Sequence, residues 1–224
     1  MKLLIFLTVF TLFAVMPSLQ LLTCEIPPGS VPKEWTKMDD QCISILRAQV
    51  QEELKAAMTY LNLGAHFSQD TVNRPGFAKF FLESASEERQ HAMKIIEYML
   101  MRGQLTGKNS IGGERLRNIL PIIDNPKPVA TTHNTGAQAL KAALELETSV
   151  TEKIRNIIVT CEEPPVTKYN DYHLVDWLTG EYLEEQYKGQ RDIAGKLSTL
   201  SKLMATHGEL GEFLFDKKML HGEI

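Results

Sequence analysis

The 224-residue sequence lacks the features that mark several broad classes of protein. It has no basic excess, since 24 Lys and Arg stand against 28 Asp and Glu, which argues against a dedicated nucleic-acid binder. With only 14 Gly and 10 Pro, it is not a collagen-like or low-complexity chain. No convincing run alternates in polarity, so we expect no β-sheet. The length and the ordinary globular composition fit one domain plus a short extra segment.

The beginning of the chain has the composition of a signal peptide. Lys2 precedes an apolar run over residues 3–15, which is too short to span a bilayer and is followed by Pro17. We expect a signal peptide within residues 1–23, cleaved between 18 and 23, then an extended arm over 24–40 and a folded domain over 41–224. No second long apolar run follows, so we expect a secreted protein without a membrane anchor.

Four long segments repeat apolar residues every three or four positions, which is typical of amphipathic helices. They lie within residues 41–73, 77–102, 137–163 and 166–206. Each helix would be roughly 40–50 Å long, and four helices of matched length pack as a bundle. Residues 104–135 contain several Gly and Pro and indicate a long crossing loop, which would make the second and third helices parallel.

Polar residues interrupt the apolar stripe of every helix. They are Glu53, Tyr60, Glu88, His91, Glu147 and Gln186. A carboxylate removed from water costs several kcal/mol unless it is paired or bound to a cation. No Lys or Arg occupies these stripe positions to neutralise the charge, whereas a metal ion could do so.

The spacing and the types of these residues favour iron. Glu88 and His91 are three residues apart, and Glu-x-x-His within a four-helix bundle is a ligand pattern of di-iron carboxylate proteins. Three Glu and one His form an oxygen-rich set that suits Fe²⁺. Each residue also has an ordinary explanation by itself, as a solvated carboxylate or a hydrogen-bonded core side chain. Ligand-type residues in the stripes of all four helices make the metal site the stronger interpretation.

The chain resembles the ferritin family in motifs that are spread over all the helices. They include Gln51-Glu52-Glu53-Leu54, Arg74-Pro75-Gly76-Phe77, Glu87-Glu88-Arg89-Gln90-His91-Ala92, Leu144-Glu145-Leu146-Glu147, Tyr182-Leu183-Glu184-Glu185-Gln186 and Gly211-Glu212-Phe213-Leu214-Phe215-Asp216-Lys217. With its leader, the chain is similar to secreted, heavy-chain-like ferritins of insects. The resemblance implies an all-α, ferritin-like four-helix bundle with a long crossover between helices two and three and a short fifth helix at the C-terminus.

The resemblance also implies roles for the polar residues. It places a ferroxidase centre on Glu53, Glu88 and His91, and it places Glu147, Tyr60 and Gln186 around a second iron. Fe(II) would be oxidised there by O₂, with two iron ions per centre. The resemblance further implies a shell of twenty-four ferritin subunits that stores a ferric oxide-hydroxide mineral.

Two parts of the sequence depart from the family pattern. Gln90 and Met93 stand where carboxylates usually face the mineral cavity, so we expect this subunit to need a light-chain-like partner for nucleation. Thr179 stands where a channel Glu is usual, one turn beyond Asp176. We therefore take Asp176 and His173 as the channel candidates.

Three cysteines, Cys24, Cys42 and Cys161, leave one without a partner inside the chain in an oxidising compartment. We expect Cys42 and Cys161 at the same end of the bundle, and Cys24 on the arm can reach that end too. Three pairings are open. We favour a bridge between Cys24 and Cys161, with Cys42 bonded to a partner subunit.

Two other interpretations stay open at the level of sequence. A secreted four-helix cytokine also has a leader, long crossovers and disulfides, but it leaves the carboxylates in the stripes unexplained. A structural, light-chain-like ferritin subunit would keep the fold and lose the iron ligands, which this chain retains.

Overall fold

The computed structural model describes residues 38–103, 126–128, 135–164 and 170–224. Within these ranges the chain is mainly helical and contains no strand. No helix in the described ranges combines the length and the apolar character needed to cross a membrane. The expected signal peptide, nearly all of the arm with Cys24, and most of the crossing loop lie outside the described residues.

Three long helices form the first part of the bundle. They are α1 (Asp40–Ser68), α2 (Pro75–Met101) and α3 (Gly136–Glu162). Side chains cap the first and third, because Asp39 accepts a hydrogen bond from the Gln41 amide and Thr135 accepts one from the Gln138 amide.

The fourth long helix is continuous but changes its winding. It consists of α4 (Tyr172–Trp177), a π-helical turn (Leu178–Leu183) and α5 (Glu184–His207). The short helix α6 (Glu209–Leu220) follows directly. The predicted all-α bundle with a short C-terminal helix is therefore confirmed.

The direction of the helices follows from contacts near their ends. A tight turn joins α1 and α2, where Asn73 has a φ of 48° and Pro75 begins α2, so these two helices are antiparallel. Phe77 near the start of α2 packs against Gly136 at the start of α3. Helices α2 and α3 are consequently parallel, as the crossing loop predicts.

Helix α6 stabilises the starts of both parallel helices. Oδ1 of the fully buried Asp216 accepts hydrogen bonds from the amides of Gly76 (2.8 Å) and Phe77 (3.0 Å). Oε2 of Glu212 accepts one from the Gly136 amide (3.0 Å). Gly76 is needed here, because a Cβ would collide with the backbone carbonyl of Asp216. The first amide groups of a helix lack partners within it and carry the positive end of the helix dipole, so they favour such acidic acceptors.

The cysteine pairing differs from the one that we favoured. Cys42 and Cys161 form a disulfide, with their Cα atoms 5.4 Å apart. The bridge that we expected between Cys24 and Cys161, and the bond of Cys42 to another subunit, are therefore wrong. Cys42 lies at the start of α1 and Cys161 at the end of α3, and both are fully buried in one apolar cluster. The antiparallel packing of α1 and α3 brings these two helix ends together.

Candidate metal centre

The polar stripe residues form one layer between two apolar clusters of the bundle. One cluster surrounds the disulfide, and the other contains the stacked rings of Phe67, Phe77 and Phe81. The residues of the layer come from α1, α2, α3 and α5, and each is at most 7% exposed: Glu53, Tyr60, Glu88, His91, Glu147 and Gln186. The structure thus brings together all six residues that the sequence singled out.

Glu53, Glu88 and His91 form the tightest group in this layer. Each offers one ligand atom, and these atoms lie within 4.8 Å of one another. Nδ1 of His91 lies 3.4 Å from Oε2 of Glu88, so the ring nitrogen and the carboxylate face the same point. The i, i+3 spacing on α2 produces this arrangement, because such residues lie on one face of a helix.

The electrostatics of the layer favour a cation. Burial, followed by the negative charge of Glu88, raises the pKa of Glu53 well above its usual value. Burial, followed by the charge of Glu147, raises the pKa of Glu88 in the same way. The second oxygen of Glu53, Oε2, has no hydrogen-bond partner among the described residues although it is buried. A buried carboxylate oxygen that faces other carboxylates fits a metal ligand. A divalent cation would cancel the repulsion between the carboxylates and give the unpartnered oxygen a ligand bond.

A second group lies beside the first. Oη of Tyr60 donates a short hydrogen bond to Oε1 of Glu147, and Oγ1 of Thr151 donates one to Oε1 of Gln186 (2.9 Å). Burial, followed by the charge of Glu147, raises the pKa of Tyr60 well above its usual value.

Both groups border one cavity of about 110 Å³. Its lining includes Tyr60, Glu88, His91, Glu147 and Gln186. These oxygen donors and the imidazole are suitable ligands for Fe²⁺, so the cavity offers room and ligands beside the first group for a second ion.

The structure adds neighbours that sequence reasoning missed. Nε2 of Gln49 donates to Oε1 of Glu53 (2.8 Å), and Gln190 donates to Oγ1 of Thr151, which in turn holds Gln186. Gln49 precedes Glu53 by one helical turn, a spacing that could have revealed it.

Glu185 on α5 is a further neighbour of the centre. Its Oε2 lies 3.3 Å from Nε2 of His91, although its side chain is 49% exposed. Glu185 lies outside the apolar stripe and is half exposed, so nothing in the sequence distinguishes it from an ordinary surface carboxylate.

The candidates for the channel and for the cavity surface lie away from this layer. His173 and Asp176 are both exposed on α4, and Nδ1 of His173 lies 2.9 Å from Oη of Tyr98. Gln90 and Met93 are exposed on α2. Their expected roles depend on other subunits and stay predictions.

Comparison with known proteins agrees with this architecture. A family model for the ferritin-like domain matches residues 43–203. The ferritin heavy chain of Papilio xuthus is 49% identical over 216 residues, covering 96% of this chain and 97% of that protein. The ferritin heavy chain of Trichoplusia ni is 51% identical over 197 residues and 88% of each chain.

A solved structure gives the same result. The chain resembles the crystal structure of Trichoplusia ni secreted ferritin with a TM-score of 0.79 and 51% identity, covering 88% of this chain and 97% of that one. With a family match over most of its length, relatives at about half identity and a shared bundle, the chain belongs to the ferritin family.

Proposed function

We propose that this chain is the ferroxidase subunit of a secreted ferritin, which oxidises Fe(II) with O₂ and stores the ferric product. The observation that carries the proposal is the buried group of Glu53, Glu88 and His91, whose ligand atoms lie within 4.8 Å of one another. Relatives that carry the name ferritin heavy chain support it.

Iron is the substrate in this account. Glu53, Glu88 and Nδ1 of His91 bind one Fe(II), and Glu147, with Tyr60 and Gln186 beside it, binds the second less firmly. The weaker set has one carboxylate, a phenol and an amide, so it releases its ion more readily after oxidation. Two Fe(II) ions and two protons reduce one O₂ to hydrogen peroxide, and two Fe(III) ions leave the centre.

The assembly is also part of the proposal. We propose a shell of twenty-four subunits around a ferric oxide-hydroxide mineral, in which light-chain-like subunits supply the cavity carboxylates that Gln90 and Met93 replace here. Secretion is supported by the leader-like residues 1–23 and by the likeness to Trichoplusia ni secreted ferritin. Asp176 and His173 remain our candidates for the route by which Fe(II) enters.

The two rival interpretations fit the structure less well. A cytokine needs no convergent carboxylates in its core, where burial and mutual repulsion make them costly. A structural light-chain-like subunit would keep neither the group of Glu53, Glu88 and His91 nor the Glu147 carboxylate in the cavity beside it.

An oxygen electrode separates the ferroxidase subunit from both rival interpretations. We expect the assembled wild-type protein to consume O₂ rapidly when Fe(II) is added, with two iron ions oxidised per subunit in the fast phase. Neither a cytokine nor a light-chain-like subunit would increase O₂ uptake above the rate of iron in buffer. A rate equal to the buffer rate would overturn the proposal.

A further inference from the structure

A line of aromatic rings leads away from the metal centre. The ring centre of Tyr182 lies 5.5 Å from that of His91, and Tyr182 Oη donates a hydrogen bond to the His91 carbonyl oxygen (2.8 Å). Trp177 packs edge-on against Tyr182 at 5.2 Å and stacks on Tyr98 at 4.3 Å. Tyr98 in turn stacks on His173 at 5.7 Å. Five rings therefore touch in sequence.

The line begins in the core and ends at the surface of the described chain. Tyr182 and Tyr98 are buried, Trp177 is half-buried and His173 is exposed. Trp and Tyr are the aromatic side chains that lose one electron most readily. Because electron tunnelling slows steeply with distance, touching rings favour transfer from one to the next.

The two tyrosines differ in where their protons can go. Oxidation of a phenol requires that it lose its proton, and Tyr98 Oη lies 2.9 Å from Nδ1 of His173, an imidazole nitrogen that can accept one. Arg102 donates to the same phenol oxygen (3.0 Å), which directs the phenol hydrogen towards His173. Tyr182 donates instead to an amide carbonyl, which is a very weak base. Tyr98 is therefore the place where an oxidised tyrosine is stable.

Tyr60 offers no comparable route out of the centre. Its phenol faces the Glu147 carboxylate, and its ring stacks on Phe81, which stacks on Phe67 and Phe77. Phenylalanine is much harder to oxidise than tyrosine. An oxidised Tyr60 would remain beside the iron.

We propose that Tyr182, Trp177 and Tyr98 form a one-electron relay that carries oxidising equivalents from the centre to Tyr98, with His173 as the proton acceptor. The iron chemistry that drives it rests on the proposed function. The relay would protect the bundle, because it removes a strong oxidant from the core to a ring near solvent.

The relay acts when a centre that holds a single Fe(II) meets hydrogen peroxide. Reduction of one peroxide to two waters breaks the O–O bond and takes two electrons and two protons. Fe(II) supplies one electron and becomes Fe(III), and Tyr98 supplies the other through Trp177 and Tyr182. The phenol proton passes to His173 and then to solvent, so the net reaction consumes one proton. An external one-electron reductant such as ascorbate then restores Tyr98.

A metal-free experiment tests the coupling of the rings. Azide radicals, generated by pulse radiolysis, oxidise tryptophan in the assembled apo-protein, with Trp35→Phe as the background so that Trp177 is the sole tryptophan. We expect the absorbance of the tryptophan radical to decay as that of a tyrosyl radical rises, at a rate independent of protein concentration. Tyr98→Phe should abolish this transfer, whereas Tyr182→Phe should retain it.

The iron-driven step is tested by rapid-freeze electron paramagnetic resonance. Assembled Tyr60→Phe protein with one Fe(II) per subunit is mixed anaerobically with hydrogen peroxide, and both Fe(III) and the tyrosyl signal are measured. We expect a tyrosyl signal that is lost in Tyr98→Phe and in Tyr182→Phe. It should be kept in Tyr172→Phe, which changes an exposed tyrosine on α4, the helix that carries Trp177 and His173.

The two experiments keep the two proposals apart. Fe(III) formation with an unchanged tyrosyl signal in Tyr98→Phe would overturn the relay. O₂ uptake at the rate of iron in buffer would overturn the proposed function, and the metal-free transfer between Trp177 and Tyr98 would still test the relay. If Tyr98→Phe fails to assemble, the surface variant His173→Gln should slow the metal-free transfer, and an unchanged rate would contradict the relay.

Discussion

The imidazole of His91 lies between two carboxylates, and its Nε2 atom is 3.3 Å from Oε2 of Glu185 on α5. Its other nitrogen, Nδ1, is 3.4 Å from Oε2 of Glu88. If Nε2 carries the proton and donates it to Glu185, the lone pair of Nδ1 points towards Glu88 and the metal position. A carboxylate this close to Nε2 favours that tautomer and that orientation of the ligand ring.

We expect Glu185→Ala to slow Fe(II) oxidation about tenfold. Loss of a partner that orients a metal-bound histidine costs roughly 10–100-fold in activity. Because Glu185 is half exposed and water can partly replace it, we expect an effect at the lower end of that range. Stopped-flow absorbance of ferric species gives the initial rate. Glu184→Ala is the matched control, because Glu184 pairs with Lys188 on the surface and its loss should leave the rate unchanged.

Glu88→Gln should make the metal-free protein more stable at neutral pH. Burial and Glu147 raise the pKa of Glu88 in the folded state, so the folded protein holds this proton more tightly than the unfolded chain does. The resulting stability is present at a pH below the unfolded pKa and is lost as pH rises through the folded pKa. The Gln side chain has the same shape and does not ionise, so Glu88→Gln avoids this loss of stability, which is worth about 1 kcal/mol or more.

The measurement is thermal unfolding of the apo-protein between mildly acidic and neutral pH. The difference in melting temperature between Glu88→Gln and wild type should grow as the pH rises. For a chain of this size, each kcal/mol of added stability raises the melting temperature by roughly 2–4 °C. Glu97→Gln, at an exposed position of the same helix, is the control. A variant that is less stable than wild type at neutral pH would show that Glu88 is not destabilising without metal.

Asp216→Ala should destabilise the bundle by about 2–3 kcal/mol, because the carboxylate accepts two amide hydrogen bonds in a fully buried position. Urea unfolding measures the change in free energy. Lys218→Ala on the exposed side of α6 should change it little. Equal effects of the two variants would contradict the role of α6 as a cap for α2.

Much of the centre could be predicted because it violates the pattern around it. Glu53, Glu88, His91 and Glu147 occupy positions where a helical stripe calls for apolar side chains, and the cost of burying them points to a metal. The same logic cannot find Glu185, which is half exposed, nor can it find Asp216, whose partners lie 140 residues away in sequence.

The pairing of the cysteines and the π-helical turn in the fourth helix were harder to predict. Helix periodicity places Cys42 and Cys161 at one end of the bundle, but it does not choose between them and Cys24. The π-helical turn at Leu178–Leu183 also has no local signature that we recognised, because its hydrogen bonds depend on the backbone register and not on residue type.

Loss of the disulfide should lower stability without affecting the metal layer. Cys161→Ser removes a bridge between residues that are 119 apart in sequence, and such a bridge contributes about 2–4 kcal/mol. Urea unfolding of Cys161→Ser should therefore show a lower midpoint than wild type, and Cys42→Ser together with Cys161→Ser should show no further loss. Cys24→Ser is the control, and a peptide map without reductant should link the Cys42 and Cys161 peptides.

The initial rate of Fe(II) oxidation in the double variant Glu88→Ala with His91→Ala is the most direct test of the account. We predict that the variant assembles normally and that its rapid oxidation phase disappears, because the first iron loses two of its three ligands. Size-exclusion chromatography and circular dichroism would establish that the shell and the helices are intact. An initial rate equal to that of the wild-type protein would contradict the assignment of the ferroxidase centre to these residues.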